Sequence, residues 1–501
     1  MFLLFSTTVN AEDVSPQSNS GKDIIRIASV YRTLTLDPIK SIWTGSIETF
    51  GQLYSRLFRR GDNGELLPGL AERWEMSDDG LQYTFYLRSA HFSDGSAITA
   101  HDVAFSLLRM RDHPEAAYSA AVTDIANISV LDARTVQIQL HQPAAAFILG
   151  LEMCFLGIVS KADVEKRGDV QAFAADPVTS GPYRVVQWKH NDRIILEPNP
   201  HYWREGYPLN DGAELIEVVD SNTRASMLLT GEIDAIRAVS WAEAARLKSS
   251  GLINIPHEPA ILIWMILLNH GRPPFDDIRV RQAAVLAIDR KLITKVVTHG
   301  NAVVANTTIP KLLNFHHSEF DPWPFDIERA KQLMREANIG DHEVLINIVA
   351  PDPPTELIAL VLQSQWQKIG LKTRIEKVDQ ALDEQRLETG EYDASINWWY
   401  NENEDPDQAV RWAVCGSCGN RSYFTEYQND EVDRLVAEGS RTMDEDERRE
   451  IYHRIQEIST TEVAQIPLFY PTWQNGYSKK IEGLRLTPAT QWTLENARHV
   501  E

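Results

Sequence analysis

The first half of the chain alternates apolar and polar residues over short stretches that turn signals separate. Residues 83–88 (YTFYLR) alternate in this way between two Asp-Gly turns, which predicts a half-buried strand. Thr99 and Asp102 then have capping-box spacing ahead of an apolar helical face, which predicts a helix. Residues 136–140 predict another strand, and residues 183–197 predict a hairpin that turns at a His-Asn-Asp sequence.

The second half of the chain has the longer periods of an α/β protein. The apolar run 261–269 (ILIWMILLN) predicts a buried strand. Residues 273–293, which begin with prolines and acidic residues, predict one helix. The further elements are helices at 327–337, 357–369, 430–438 and 445–458, with Gly439 as a stop, and strands at 343–349 and 372–378. Alternating strands and helices imply a mixed or parallel sheet covered by helices.

The change of pattern near residue 261 predicts two lobes. We expect the strand at 261–269 to cross from one lobe to the other. A chain of 501 residues is long enough to form two or three lobes with sizeable cores.

The charge balance excludes some partners. The chain has 71 acidic and 49 basic residues and a formal net charge of −22, so its field repels phosphate backbones and we expect no nucleic-acid partner. No apolar run approaches the roughly 20 residues that span a bilayer.

The N-terminal segment MFLLFSTTVNA is apolar and ends in a small-residue pattern typical of a signal cleavage site. It lacks a basic leader and is short. We therefore interpret residues 1–11 as the tail of a truncated export signal, and the alternative is a disordered cytosolic tail.

Cys154 lies in an apolar run and is expected to be a buried thiol. Cys415 and Cys418 form a CGSC sequence that has three interpretations: half of a zinc site, a redox motif, or a small disulfide that closes a loop. The disulfide is favoured because no second Cys or His pair lies nearby and the surrounding residues are typical of a loop.

A recurrent set of motifs resembles the dipeptide/oligopeptide-binding family of ABC-importer solute-binding proteins. Its first block is Trp74, Asp78-Asp79-Gly80, residues 83–88, Phe92-Ser93-Asp94-Gly95 and Asp102-Val103. The later blocks are Ser180-Gly181-Pro182-Tyr183, Gly231-Glu232-Ile233-Asp234, residues 275–283 with 287–290, Asp405-Pro406-Asp407, Gly476-Tyr477, Ile481 and Gly483. Together they cover nearly the whole chain after the N-terminal tail.

The resemblance implies an α/β periplasmic-binding-protein fold of type II, in the large peptide-binding class, with an accessory subdomain in lobe I. The implied boundaries are 12–262 for lobe I, with the accessory subdomain at about 52–175, then 263–477 for lobe II and 478–501 for a return to lobe I. The lobes close on a solute like a hinge. We expect the accessory subdomain to act as scaffold and the binding residues to lie in the cleft.

The site residues are likewise implied by the resemblance. In peptide-binding relatives an aspartate shortly before Asp-Pro anchors the ammonium group of the ligand, and the matching position here is Glu402, beside Asn401. Trp398, Trp399 and Tyr400 precede them, and we expect only one of the two tryptophans to face the cleft. The further candidates are Tyr31, Arg32 as a carboxylate ligand, Tyr470 and Trp473.

No sequence motif of a hydrolase, phosphate-binding loop, dinucleotide site or zinc protease is found, so we predict a binder and not an enzyme. The predicted function is the periplasmic capture of peptides for a membrane permease by a monomer that has no cofactor or metal. The alternatives are a non-peptide solute, such as an opine-like conjugate, a glycoside or a metal chelate, and a secreted hydrolase that uses a carboxylate pair.

Overall fold

The computed structural model describes residues 21–500 except residues 42, 62–64, 169, 351, 420, 421 and 423. The interpreted export signal at residues 1–11 lies outside the described residues. Within the described part, none of the helices combines the length and the apolar composition that a bilayer crossing requires.

Strands and helices are numbered here in chain order. The strands are β1 (Ile24–Ser29), β2 (Phe58–Arg60), β3 (Leu66–Pro68), β4 (Ala71–Met76), β5 (Gln82–Leu87), β6 (Ile125–Asp132), β7 (Thr135–Leu140), β8 (Tyr183–Lys189), β9 (Arg193–Pro198), β10 (Gly212–Glu217), β11 (Ala235–Ile236), β12 (Ile253–Asn254), β13 (Leu262–Leu268), β14 (Ala302–Val304), β15 (Glu343–Val349), β16 (Lys372–Val378), β17 (Ala394–Tyr400), β18 (Ile466–Pro471), β19 (Gly476–Ser478), β20 (Ile481–Glu482) and β21 (Arg498–His499). The α-helices are α1 (Thr44–Leu53), α2 (Ala100–Asp112), α3 (Phe147–Gly150), α4 (Lys161–Arg167), α5 (Val170–Ala175), α6 (Ser221–Thr230), α7 (Trp241–Ser249), α8 (Ile278–Leu286), α9 (Arg290–Thr298), α10 (Ile327–Ala337), α11 (Pro353–Gln367), α12 (Gln380–Thr389), α13 (Pro406–Ala413), α14 (Asp430–Arg441) and α15 (Glu445–Thr461).

A seven-stranded sheet in the order β12-β19-β11-β1-β10-β9-β8 forms the centre of lobe I. Strand β1 pairs in parallel with β10 and β11. Parallel strands need long crossover connections, and the chain between β1 and each of these two strands is long enough to provide them. Strands β8 and β9 pair antiparallel, which confirms the predicted hairpin.

A four-stranded sheet in the order β4-β5-β7-β6 lies in the predicted accessory subdomain. The predicted alternation is confirmed, since Tyr83, Phe85 and Leu87 of β5 are buried. The capping box is also confirmed, since the Thr99 amide donates to the Asp102 carboxylate over 2.9 Å at the start of α2. Residues of this sheet share one hydrophobic core with residues of β1, so the subdomain packs directly on lobe I.

A six-stranded sheet in the order β14-β18-β13-β17-β15-β16 forms the centre of lobe II. Every residue of β13 is buried, because neighbouring strands flank it on both edges and side-chain cores lie on both faces. The sheet is mixed, as predicted: β15 and β16 pair in parallel, whereas β13 pairs antiparallel with β17 and β18.

The expectation that the run 261–269 crosses between the lobes is wrong. Strand β13 belongs wholly to the six-stranded sheet. The chain passes between the sheets before β13, in residues 255–261, and returns after β18, in residues 472–475. The two connections contact each other, since the Trp473 amide donates to the Glu258 carbonyl over 2.9 Å.

Two helix predictions need correction. The expected single helix at 273–293 is two helices, α8 and α9, because the Asp289 carboxylate accepts the Leu292 amide over 2.9 Å and caps a new helix. Gly439 does not end α14, which continues to Arg441. A Cβ at Gly439 would lie 3.1 Å from the side chains of Ile451 and Tyr452, so glycine there permits close packing of α14 on α15.

The names lobe I and lobe II refer below to the parts built on the seven-stranded and six-stranded sheets. The boundaries 12–262 for lobe I, 263–477 for lobe II, 478–501 for the return to lobe I and about 52–175 for the accessory subdomain remain a proposal. The return to lobe I begins earlier than residue 478, since β19 (Gly476–Ser478) already belongs to the seven-stranded sheet.

Candidate functional site

The two lobes contact each other along a seam near the C-terminal end of β17. Four contacts define this seam, which is called the cleft below. They are Thr44 Oγ1 to Tyr400 Oη at 3.4 Å, Trp412 Nε1 to Tyr118 Oη at 3.4 Å, Arg60 Nη1 to Glu404 Oε2 at 2.6 Å, and the Ala145 amide to the Ser440 carbonyl at 3.0 Å.

A tight turn at residues 401–405 follows β17 and carries the predicted ammonium anchor. Asn401 is fully buried, and its side-chain amide donates to the carbonyls of Asn403 and Asp405 over 2.8 and 2.9 Å. Asp405 accepts two hydrogen bonds from the Arg448 guanidinium, over 2.8 and 2.9 Å. These bonds fix the turn from within lobe II, so the position of Glu402 does not depend on solvent-exposed contacts.

Glu402 is a half-buried carboxylate at the cleft. Burial raises its pKa to about 7, and a hydrogen bond from the Gln408 side chain opposes that rise. Across the described residues, no lysine or arginine is among the groups that shift its pKa. A cationic group of a solute could therefore supply the positive counter-charge that no described protein side chain provides to this carboxylate.

Aromatic side chains line the cleft beside the turn. The rings of Trp398 and Tyr400 stack with centroids 6.4 Å apart, and the Tyr400 ring contacts Trp473 edge-on at 6.2 Å. Trp398 packs against the cores of both lobes. Trp399 points to the opposite face of β17 and packs in two cores of lobe II.

Tyr31 reaches the cleft from lobe I, directly after β1. Burial raises the pKa of Tyr31, and the carboxylates of Glu48 and of Asp352 in lobe II add to that rise, whereas Arg237 opposes it. Arg32 is exposed and its guanidinium donates to the Asn191 side chain over 3.4 Å. A cavity of about 40 Å³ lies beside Tyr31 and Arg32, which is room for a water molecule and not for a peptide.

Tyr470 lies in the interior of lobe II. Its hydroxyl donates to the Thr307 carbonyl over 2.6 Å and accepts the Thr307 amide over 3.2 Å. The structure therefore brings together Glu402, Tyr400, Trp398 and Trp473, with Tyr31 further along the cleft, and it does not bring Tyr470 or Trp399 to this group.

Sequence reasoning missed Tyr118 of the accessory subdomain. Burial raises its pKa, with the charge of Glu402 as the next cause, and its ring lies 6.4 Å from that of Trp412. The accessory subdomain thus contributes to the cleft instead of acting as scaffold alone. No local motif marks Tyr118, because its partners are almost 300 positions away in the sequence.

Sequence reasoning also missed Arg237, which is 1% exposed and lies behind the wall of the cleft. Its Nε donates to the Glu48 carboxylate over 2.7 Å, and its guanidinium carbon lies 4.3 Å from the centre of the Trp473 ring. The signal that could have found it is the GEID block at residues 231–234, which ends three residues before it.

Cys415 and Cys418 form the favoured disulfide, and Cys154 is a buried free thiol. The backbone amides of Gly416 and Ser417 inside this loop donate to the Asp433 carboxylate, both over 2.8 Å. The disulfide and these bonds fix the loop on α14. Over the part of the chain that the structure describes, no cluster of three or more His, Cys, Asp or Glu side chains could hold a metal ion.

The family model "Bacterial extracellular solute-binding proteins, family 5 Middle" matches residues 65–420. Heme-binding protein A of Haemophilus influenzae is 29% identical, with 87% of this chain and 85% of that protein covered. Di/tripeptide-binding protein 1 of Pseudomonas aeruginosa is also 29% identical, with 87% and 86% covered. The solved structure of AgaA from A. tumefaciens in complex with agropinic acid has a TM-score of 0.84 and 25% identity over 95% of this chain and 99% of that one.

Proposed function

We propose, since the chain belongs to the bacterial extracellular solute-binding proteins of family 5, that it captures short peptides between its lobes for an ABC importer. This membership confirms the prediction that the chain is a solute-binding component of a transporter and not an enzyme. The family consists of extracellular solute-binding proteins, which agrees with a location of this protein outside the cytoplasm. The periplasm as the compartment and the monomer as the working form are part of the proposal.

The observation that carries the peptide assignment is the state of Glu402. Its carboxylate is desolvated at the meeting point of the lobes, and its pKa of about 7 reflects burial without a cationic partner. The terminal ammonium of a peptide would supply this missing cationic partner through a charge-assisted hydrogen bond. A solute held at Glu402 favours the closed form when it also contacts the Tyr118 side of the cleft, which belongs to the other lobe.

The wall of the cleft suits the rest of a peptide. Trp398, Tyr400 and Trp473 offer apolar and aromatic surface that is indifferent to side-chain identity. Tyr31 and Arg32 remain proposed contacts on the side of lobe I. The di/tripeptide-binding relative supports a short ligand.

An opine-like conjugate is the second candidate. The relative solved with agropinic acid supports it at an identity close to that of the di/tripeptide-binding relative. Glutamate at position 402 also has one more methylene group than the aspartate of peptide binders. The carboxylate therefore reaches further, which would suit an amine at a different position from that of a peptide terminus.

Native mass spectrometry of the purified protein tests the proposal, followed by thermal shifts with matched solutes. The panel contains di- and tripeptides, their N-acetylated counterparts and opine-type conjugates. We expect free-amine peptides to stabilise the protein by about 2.7 kcal/mol at a hundredfold excess over Kd, and acetylated peptides at the same concentration to stabilise it less. Stabilisation by opine-type conjugates alone would favour the second candidate, and equal stabilisation by acetylated peptides would contradict the role of Glu402.

A further inference from the structure

The structure assigns a role in ligand capture to Arg60 of the accessory subdomain, and this inference rests on the proposed function. We propose that Arg60 is a positioning residue. Its ion pair with Glu404 docks the turn 401–405 onto lobe I, and the docked turn holds Glu402 against the solute.

The lobe I side of this ion pair is already assembled within lobe I. Arg60 Nε lies 3.0 Å from Oε2 of Glu152, a carboxylate that is fully buried. The Gln491 side chain donates to Oε1 of Glu152 over 2.7 Å, and Arg56 Nη2 lies 3.6 Å from the same oxygen. All four residues belong to lobe I, so opening the lobes leaves this network intact. The Arg60 guanidinium is therefore already oriented by Glu152 when the Glu404 carboxylate of lobe II binds it.

Glu404 is the member of the pair that lobe II supplies. Its Oε2 lies 2.6 Å from Arg60 Nη1, and the side chains are 28% and 5% exposed. Burial raises the pKa of Glu404, and the charge of Arg60 opposes that rise. Because both partners are mostly shielded from water, their attraction is stronger than that of an exposed ion pair.

Glu402 and Glu404 share one rigid turn. The Asn401 amide and the Asp405–Arg448 pair brace that turn at both of its ends. The Glu404 carbonyl also accepts the Asn314 amide over 2.8 Å within lobe II. A force on the Glu404 side chain is therefore transmitted to Glu402, so docking at Arg60 and anchoring of the solute occur together.

Through the Arg60–Glu404 pair, the accessory subdomain consequently favours closure of the lobes even without a solute. When the lobes separate, Arg60 keeps Glu152, and only Glu404 returns to water. The pair can thus open and close reversibly without leaving an unpaired charge inside lobe I. A solute that binds Glu402 adds its own binding energy to a closure that the Arg60–Glu404 pair already favours.

The test uses Glu404→Gln, which keeps the shape of the side chain and removes its charge. Glu376→Gln is the matched control, because Glu376 pairs with Arg386 inside lobe II over 3.0 Å. Spin labels on Asn127→Cys and Gln385→Cys report the distance between lobes without any solute, since Cys154 is buried and Cys415 and Cys418 are bonded to each other. Dissociation of a peptide that the wild-type protein binds is measured in parallel.

We expect Glu404→Gln to shift the ligand-free distance distribution toward the open form and to speed peptide dissociation by about fivefold or more. The control should change neither. Glu404→Asp keeps the charge, so its lobe distance and its rate of peptide dissociation should lie between those of the wild-type protein and those of Glu404→Gln. If Glu404 had only a structural role within lobe II, Glu404→Gln would not change the lobe distance. Unchanged distances and dissociation in Glu404→Gln would overturn the inference. If no peptide bound to the wild-type protein, the proposed function would fail, and the ligand-free distances would still decide the role of Arg60.

Discussion

Buried carboxylates inside the lobes differ from the carboxylate at the cleft between them. In lobe I, Asp37 accepts two hydrogen bonds from Arg109 over 2.7 and 2.6 Å, and in lobe II, Asp405 accepts two from Arg448. Glu402 lies in the same turn as Asp405 and has only the Gln408 amide as its side-chain partner in the described structure.

The difference separates two uses of a buried charge. A carboxylate that an arginine neutralises in bidentate geometry fixes the chain, because breaking the pair leaves a desolvated charge. A desolvated carboxylate without such a partner stays poised to bind a cation that arrives from outside. The ion pairs inside the lobes therefore stabilise the fold, whereas the Glu402 carboxylate at the cleft has no cationic partner in the described structure.

The largest effect should come from breaking an interior pair. Arg448→Met leaves the Asp405 charge buried and unpaired, so we expect the free energy of unfolding to fall by about 3–5 kcal/mol. Chemical denaturation measures this loss. Arg454→Met is the control, since that exposed arginine pairs with Glu431 at the surface and its removal should leave the free energy of unfolding nearly unchanged. Equal losses in the two variants would mean that the interior pair is not special.

Removing the charge at the cleft should weaken binding and spare the fold. Glu402→Gln removes the negative charge that would face the proposed ligand ammonium and keeps only a neutral amide oxygen as acceptor, so peptide affinity should fall by about 1.5–3 kcal/mol, measured by titration calorimetry. The free energy of unfolding at pH 8 should not fall, because a desolvated charge has been removed. A variant with wild-type affinity would contradict the assignment of Glu402.

The raised pKa of Glu402 predicts a pH dependence of binding. Below its pKa of about 7 the carboxyl is neutral and attracts an ammonium weakly, so affinity should increase from pH 5.5 to 7.5. A terminal amine, with its pKa of about 7.7–8.0, remains mostly protonated over this range. Affinity should be flat with pH in Glu402→Gln. A falling affinity over the same range would exclude an ionised Glu402 as the anchor.

The smallest effect should come from an edge of lobe I, where the charges are partly exposed. His499 contacts Asp234 over 2.9 Å and Asp23 over 2.5 Å, and these two carboxylates raise its pKa to about 9. A raised histidine pKa contributes stability below the unfolded value of about 6.5, and that stability is lost as the pH rises through 9. Since the side chain is 37% exposed, His499→Gln should cost at most about 1 kcal/mol at pH 6 and nothing at pH 10. Thermal unfolding at both pH values checks this, and a difference that persists at pH 10 would contradict it.

The sequence predicted those parts of the fold that local chemistry determines. The alternation in β5 and the capping box of α2 are signals within a few residues, and both are confirmed. Asp289 shows the limit, because a capping aspartate inside a continuous helical pattern starts a second helix. Gly439 shows another limit, because tertiary packing and not chain termination explains that glycine.

The candidate site divides along the same line. Glu402 was found through its spacing from Pro406, a local feature of one family motif. Tyr118 and Arg60 reach the cleft from the accessory subdomain and meet residues of lobe II roughly 300 positions later. No periodicity in the sequence indicates which distant elements meet, so these residues became visible only in the folded chain.

The order of strands has a consequence for how the protein folds. Strand β19 pairs with β11 and β12 in the seven-stranded sheet, yet every strand of the six-stranded sheet precedes it in the chain. Until β19 is in place, β11 and β12 lack the strand that lies between them, so the sheet that contains the first strands of the chain can be completed only after the strands of the other sheet are available.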